Sequence, residues 1–551
     1  LNTPRELDPQ VSYGEYDYNI LQNVYETLLW YNGANGNVTI PWLASNYTIS
    51  ANGMEANFTL RSGIKFADGE DLNSTAVYFS LNKLLITDNA APTSFGTQGS
   101  WILQQLLNTS LSFDYNPSHG YTQAWANEVL AQNFVKITGP LTFTLNIQTP
   151  NAALPFLFAN QWSAIVAPNY VMQHDIALWN QSSNGYTLPF PTLSGNATTQ
   201  INQYLYDEVA TCGTGATQSG CGYTYLDGSY QGSLAGSGPY VIETVGQATN
   251  NIVLQANPNY WGGPLAGQKI SPTFKTIDIN YVPSLTTREF DLQTAAKSGQ
   301  AFSADIPNDH LYDVANRNAW LNNNTLTSIV PGISLYGPYT GFHTDMDLFA
   351  TNVTNPNTKS YFTFQPFADI RFRLAFADSV NTTEINLDID NNLGRVAING
   401  MPPGFPPAGT FNTSIVPVYS FNPDKAAQLL LQAMQQPLSN FNFENGSASP
   451  SGVFNNTFGC STLGAGGQCS KPVGQTIALN FPSGDSVNQQ IDEQIASVIN
   501  NISSTYNMGL TVVVSPIPQG IEVVDGFSGY LYFWSSSADA DYPWSIDFTS
   551  V

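Results

Sequence analysis

Four cysteines stand in two pairs of equal spacing: Cys212 and Cys221 bracket CGTGATQSGC, and Cys460 and Cys469 bracket CSTLGAGGQC. Four thiols permit three connectivities. Closing the long loop from Cys221 to Cys460 would cost about 3 kcal/mol more chain entropy than closing either short one, so two local disulfides are expected. Each would stabilise its Gly- and Thr-rich loop by roughly 2 to 3 kcal/mol, and disulfides persist outside the cytosol. A zinc site would want paired C-x-x-C spacing, which the chain lacks.

Asn-x-Ser/Thr sequons point to the same compartment. They occur at Asn37, Asn46, Asn57, Asn73, Asn108, Asn180, Asn196, Asn323, Asn352, Asn381, Asn412, Asn445, Asn455 and Asn501, which makes N-glycans expected partners. Catalytic patterns are missing. There is no G-x-S-x-G nucleophile turn, no H-E-x-x-H and no phosphate-binding G-x-x-x-x-G-K-[ST]. Asp388, Asp390 and Asn392 sketch the start of a calcium loop, but Gly394 falls one position late and no bidentate Glu follows in register. Paired-carboxylate glycosidase chemistry is open to any chain with 40 acids, yet no pair is singled out. No metal, cofactor or catalytic residue is expected, and a secreted glycosidase or a surface-layer component is kept as the remoter class.

Charge narrows the partners. Only 10% of the 551 residues are charged and the net charge is -24, with a sequence pI near 4.2, which excludes nucleic acid as a partner. Asn, Ser, Thr, Gln and Tyr replace the missing charge. Such a neutral polar surface suits an acidic exterior, where carboxylates with pKa values near ~4 would lose their charge. An archaeal, acid-adapted source is the expectation. No stretch approaches the ~18 uninterrupted apolar residues of a membrane span, and LNTPRELDP reads as a mature start after signal removal.

The elements that must position any site are mixed α and β. Beyond Asn73 as N-cap, Val77, Leu81, Leu84 and Leu85 mark one helical face; Asn422-Pro423 opens a helix carrying Ala426, Leu429, Leu430 and Ala433; Val487, Ile491, Ile495, Val498, Ile499 and Ile502 form a third stripe. Strands are predicted at YVIETV (240–245), NIVLQ (251–255), FKTIDINYV (274–282), QTIALNF (475–481) and LTVVVSPI (510–517). Tracts near 181–200, 212–238 and 439–474 are rich in Gly, Ser, Asn and Pro and read as surface insertions. At 551 residues the chain is long enough for two or three packed units.

Several segments, in order along almost the whole chain, resemble extracellular solute-binding proteins of family 5, the group of dipeptide- and oligopeptide-binding receptors of ABC importers. They are LDPQVSYGEYDYNILQNVYETLLWY (7–31), PWLASNYTISANGMEANFTLRSGIKFADGEDLNSTAVYFSL (41–81), GSGPYVIETVGQATNNIVLQANPNYWGG (236–263), FKTIDINYVPSLTTREFDLQTAAKSGQAFSADIP (274–307), PFADIRFRLAFADSVNTTEI (366–385), NPDKAAQLLLQAM (422–434) and SSADADYPWS (536–545). One departure is Asp378-Ser379-Val380-Asn381, which replaces the family's acidic-basic pair.

The resemblance implies a two-lobed periplasmic-binding-protein-like α/β fold of class II, cluster C type, with lobes joined by two crossing strands and closing over ligand by hinge motion. Lobe I would take residues 1–45, 155–275 and 526–551, its C-terminal part incomplete, with an extra subdomain at 46–154; lobe II would take 276–525. The implied partners are an ABC transporter permease and an oligopeptide or dipeptide ligand. In such receptors an Asp holds the peptide α-ammonium; the A-D-Y-P match places that role on Asp541. Tyr13, Gly14 and Glu15 correspond to cleft-lining positions, and Trp534 to the strand that leads to Asp541. The alternative ligand is an oligosaccharide of cellobiose type, for which 28 Tyr and 10 Trp would supply stacking. The implied location is the cell surface, with membrane contact only through a tail or anchor outside this sequence.

Overall fold

The computed structural model describes residues 7–10, 12, 15–32, 35–86, 103, 106–107, 123–174, 192–212, 233–246, 250–264, 271–298, 340–343, 370–389, 420–435, 469, 475–482, 486–517 and 531–535. Described residues up to Ser284 form one compact unit and those from Leu285 onward a second. Each has its own core.

In the first unit, helix α1 (Glu15–Val24) leads into the antiparallel pair β1 (Leu29–Asn32) and β2 (Asn35–Pro41). Strands β3 (Ala44–Ile49), β4 (Glu55–Leu60), β5 (Val135–Gly139) and β6 (Thr142–Asn146) make a sheet ordered β3-β4-β6-β5. Strand β4 reads Glu-Ala-Asn-Phe-Thr-Leu and alternates exposed and buried without a break, the two-residue period of a sheet with one wet face. On the dry face Tyr47, Phe58 and Phe143 form a ring ladder across three neighbouring strands, with centroids 5.5 and 5.2 Å apart. Such cross-strand aromatic pairs fix register as well as adding burial. A meander of β7 (Tyr240–Gly246), β8 (Asn251–Ala256) and β9 (Thr276–Asn280) completes the β structure described in this unit.

Helix α2 (Ser74–Ile86) is its centre. Asn73 caps it as predicted, its Oδ1 accepting from the backbone N–H groups of Thr75 and Ala76. The burial differs from the single apolar face expected: every residue of α2 except Thr75 is buried. Neighbours close on it from several sides, namely α3 (Gln123–Ala131), α4 (Pro168–His174), α5 (Ala197–Cys212), strand β5 and a 3₁₀ turn at Gln161–Ser163. A helix buried all round must satisfy whatever polar groups it carries from within the protein.

The insertion reading of 181–200 and 212–238 needs correction at both inner ends. Helix α5 already begins at Ala197 and buries Ile201, Tyr204 and Leu205 at i, i+3 and i+4. At the other tract, Ser233, Ala235 and Ser237 are sealed in the core. Small residues there are a packing requirement: a Cβ on Gly236 would lie 2.0 Å from the carbonyl oxygen of Val24. Low charge and glycine looked like loop composition, but here they let two backbones touch.

The second unit begins with α6 (Leu285–Ser298) and carries a mixed sheet ordered β10-β13-β11-β12, made of β10 (Thr340–His343), β11 (Gln475–Pro482), β12 (Leu510–Ile517) and β13 (Leu531–Ser535). Strands β11 and β12 run parallel, and the long helix between them, here α9 (Ser486–Thr505), is the crossover that parallel neighbours require. The stripe predicted for α9 is found: Ile491, Ile495, Ile499 and Ile502 are buried. Helices α7 (Ile370–Ala377) and α8 (Pro423–Gln435) pack together beside it. Asp378, in the segment that departs from the family pattern, meets Lys425 of α8 across 2.9 Å.

Candidate functional site

Residues 7–10 and 12, the described part of the chain before α1, lie in no helix or strand, so their backbone and polar side chains must find partners elsewhere. They find them on α2 and beside the 3₁₀ turn. The Lys83 Nζ donates to Asp8 Oδ2 and to Gln10 Oε1, each at 3.0 Å. Asp8 in turn accepts from the Gln10 backbone N–H through Oδ1 at 2.9 Å, and its carbonyl from Ser12 N–H at 2.9 Å. Gln10 Nε2 donates to the carbonyls of Ser80 and Ala164. Ser12 Oγ donates to Asp17 Oδ2 at 2.9 Å, and its carbonyl accepts from Trp162 Nε1 at 2.7 Å. All of these side chains are buried. The result is a fully enclosed polar frame that fixes Ser12 and Asp17.

A second enclosed acid lies after α1. Glu26 accepts from Trp42 Nε1 at 2.8 Å, Ser237 Oγ at 2.7 Å and Trp261 Nε1 at 2.8 Å. Burial pushes its carboxyl up to about 7, against the opposing pull of the Trp261, Ser237 and Trp42 hydrogen bonds. Arg61 lies 5.8 Å over the Trp261 ring and gives its Nε to the Trp42 carbonyl. From the link between α1 and β1, this acid ties the β2–β3 link at Trp42, Ser237 and Trp261 to one point. Glu70 plays a smaller version of the same part, accepting from Asn169 N and Nδ2; burial, then the charge of Asp68, raise it to about 7.

The 3₁₀ turn is the third component. Asn160 caps it through Oδ1 to Trp162 N–H, Ser163 Oγ returns to the Asn160 carbonyl, and the Ala164 N–H closes on the Gln161 carbonyl. Within this bonded turn the Gln161 side chain is buried and neither Oε1 nor Nε2 has a hydrogen-bond partner. Leaving such a group unpaired costs about 1 to 3 kcal/mol.

Of the residues expected to line a ligand site, the described part of the chain places two. Glu15 is the first residue of α1 in the first unit. Trp534 lies on β13 in the second, in register with Gly341 of β10. Tyr13, Gly14 and Asp541 lie outside the described residues. Cys212 ends α5, and Cys469 is buried and disulfide-bonded; Cys221 and Cys460 lie outside the described residues. Among the sequons, Asn46, Asn57, Asn196 and Asn501 are exposed, whereas Asn73 and Asn381 are half-buried and spend their side-chain oxygens on helix caps. Asn37 lies on β2; Asn108, Asn180, Asn323, Asn352, Asn412, Asn445 and Asn455 fall outside the described residues, as do Asp390, Asn392 and Gly394. Among the described residues no group of His, Cys, Asp and Glu is placed to hold a metal ion, and no helix is long and apolar enough to cross a membrane.

Sequence reasoning passed over Lys83, Glu26 and Gln161. A lysine inside the apolar run of α2 was a usable signal, because a cation there demands a buried partner. Glu26 follows an aromatic residue in the quoted opening segment without an assigned task. Nothing local marks Gln161.

The family profile described as bacterial extracellular solute-binding proteins, family 5, matches residues 38–519. No curated protein sequence matches the chain. Among solved structures, the chain is similar to NikA from Brucella suis in complex with Fe(III)-EDTA, at 16% identity and TM-score 0.54, over 97% of this chain and 78% of that one. It is similar to the periplasmic binding protein DppA from Helicobacter pylori in complex with the peptide STSA, at 14% and 0.51, over 94% and 73%. The peptide-bound OppA of Listeria monocytogenes matches at 12% and 0.52, over 97% and 79%. These likenesses extend across both units and show the shared mixed α/β fold of periplasmic binding proteins.

Proposed function

The chain belongs to the bacterial extracellular solute-binding proteins of family 5, and from that premise we propose that it is the receptor of an ABC importer for oligopeptides or dipeptides. Members of this family are solute-binding receptors outside the cytosol and partners of ABC permeases. The finer reading is that the peptide is held in a cleft between two lobes that close by hinge motion and is then passed to the permease. Lobe I would take residues 1–45, 155–275 and 526–551 with the subdomain at 46–154, and lobe II residues 276–525.

The observation that carries this reading is the enclosed frame of Asp8, Gln10, Ser12, Asp17 and Lys83. It fixes Ser12 and Asp17, which flank in sequence the positions 13–15 that the family resemblance assigns to the cleft, and a preorganised first lobe is what ligand capture needs. Asp541 takes the peptide ammonium, with Trp534 on the strand before it. Local bridges Cys212–Cys221 and Cys460–Cys469, N-glycans and a surface anchor belong to the same proposal; the buried, bonded Cys469 supports the second bridge. An oligosaccharide is the second reading, for which 28 Tyr and 10 Trp would supply stacking; solved structures of this fold hold Fe(III)-EDTA, agropinic acid and a peptide, so the fold by itself does not select the ligand class.

The test is mass spectrometry of whatever co-purifies with the protein from its native source, followed by calorimetric titration of that compound. A bound peptide supports the reading, and Asp541→Asn then weakens its binding by about 1.5 to 3 kcal/mol, the worth of a charge-assisted hydrogen bond. A bound sugar moves the assignment to the second reading. Turnover of the compound would sink both.

A further inference from the structure

Two buried glutamines of the first unit meet opposite fates. Gln10, 1% exposed, is saturated: its Nε2 serves the carbonyls of Ser80 and Ala164 and its Oε1 accepts from Lys83. Gln161, 6% exposed, has no partner at either atom. The polar side chains beside it in the chain and the frame are bonded: Asn160, Trp162 and Ser163 within the turn, Ser12 and Asp17 next to it. The turn cannot shift to rescue the amide. Its cap, its closing bond to Ala164 and the Trp162 tie to Ser12 hold it in place.

An amide kept bare in so well-bonded a neighbourhood calls for a partner that arrives later. The position suits a ligand, because Trp162, the next residue, grips the Ser12 carbonyl at 2.7 Å and so joins the turn to the segment entering 13–15. We propose that Gln161 is a ligand-contacting, specificity-determining residue whose amide completes its hydrogen bonds on a neutral donor-acceptor group of the bound solute. This inference rests on the receptor reading. A primary amide offers a donor and an acceptor side by side and carries no charge. A peptide-bond amide or a pair of sugar hydroxyls answers both halves; a carboxylate would answer Nε2 alone, and an ammonium Oε1 alone.

The experiment compares the full wild-type chain with Gln161→Leu, which removes both polar atoms at similar volume. Each protein is titrated calorimetrically with tetra-alanine and with cellotetraose, and its melting midpoint is measured without ligand. The expected result is that the wild type binds one of the two probes, that Gln161→Leu binds it at least tenfold more weakly, and that the variant alone melts at the same or a higher temperature. Which probe binds identifies the source of the neutral group. A lower midpoint for unliganded Gln161→Leu would mean that a built-in water already partners the amide, and overturns the inference. Equal affinities overturn it too, while leaving the receptor reading intact. A wild type that binds neither probe overturns the neutral-ligand inference, and the receptor reading is then decided separately by what co-purifies.

Discussion

The ammonium of Lys83 sits 3.0 Å from the carboxylate of Asp8, and neither side chain exposes more than 1% of its surface. The two residues are 75 positions apart. A charge sealed in this way is tolerable only while its partner and its second bond, here to Gln10 Oε1, remain.

Removing one partner strands the other. Lys83→Met is expected to lower the unfolding free energy by about 3 to 5 kcal/mol, read as a fall in the urea midpoint. Adding Asp8→Leu to that variant recovers part of the loss, because the carboxylate stranded by the loss of Lys83 is then removed. A Lys83→Met midpoint equal to that of the wild type would contradict the enclosed pair.

Glu26 sets a pH dependence with a definite sign. Its folded-state carboxyl is raised from 4.5 to about 7, so between those values the folded chain binds more protons than the unfolded one. The contribution is therefore complete below pH 4.5 and is lost as the pH rises through about 7. Urea midpoints of the wild type should fall between about pH 4 and about pH 8, and Glu26→Gln should flatten that fall. Glu70, raised for the same leading reason to about 7, adds in the same direction. A steeper slope in the Gln variant would refute the assignment.

Gly236 is the steric test. A methyl there meets the Val24 carbonyl, which is main chain and cannot rotate away, so Gly236→Ala should cost about 3 kcal/mol or more. Gly69, with φ of +95° and nothing within 4 Å of an added Cβ, is the control: Gly69→Ala pays only the backbone strain of a left-handed residue, roughly 1 to 2 kcal/mol. Comparable losses for the two would mean that contact with Val24 is not what requires glycine.

In the second unit, Ile495 is wholly buried on α9 among Ile491, Ile499 and the β11–β12 pair. Ile495→Ala is expected to lose about 2 to 5 kcal/mol, seen as earlier unfolding of fluorescence or proteolysis signals that report residues beyond Leu285. A variant that instead shifts first-unit signals alone would put this helix in the wrong core.

Local structure was legible in the chain because it is written at short range. The Asn73 cap, the isoleucine stripe of α9 and the strands at 240–246, 251–256, 475–482 and 510–517 follow from periods of two and 3.6 residues and from single capping side chains. The ordered family segments carried the class of fold by the same token, being contiguous runs. Tertiary structure alone decided which polar groups close on one another. Nothing near Lys83 names Asp8, nothing near Glu26 names Trp261, and Gly236 looks like loop composition until Val24 is set against it. Gln10 and Gln161 are the clearest case, since the same side chain is saturated at one position and bare at the other. A buried hydrogen bond depends on where two distant backbones meet in space, and that meeting is fixed by the packing of the whole unit.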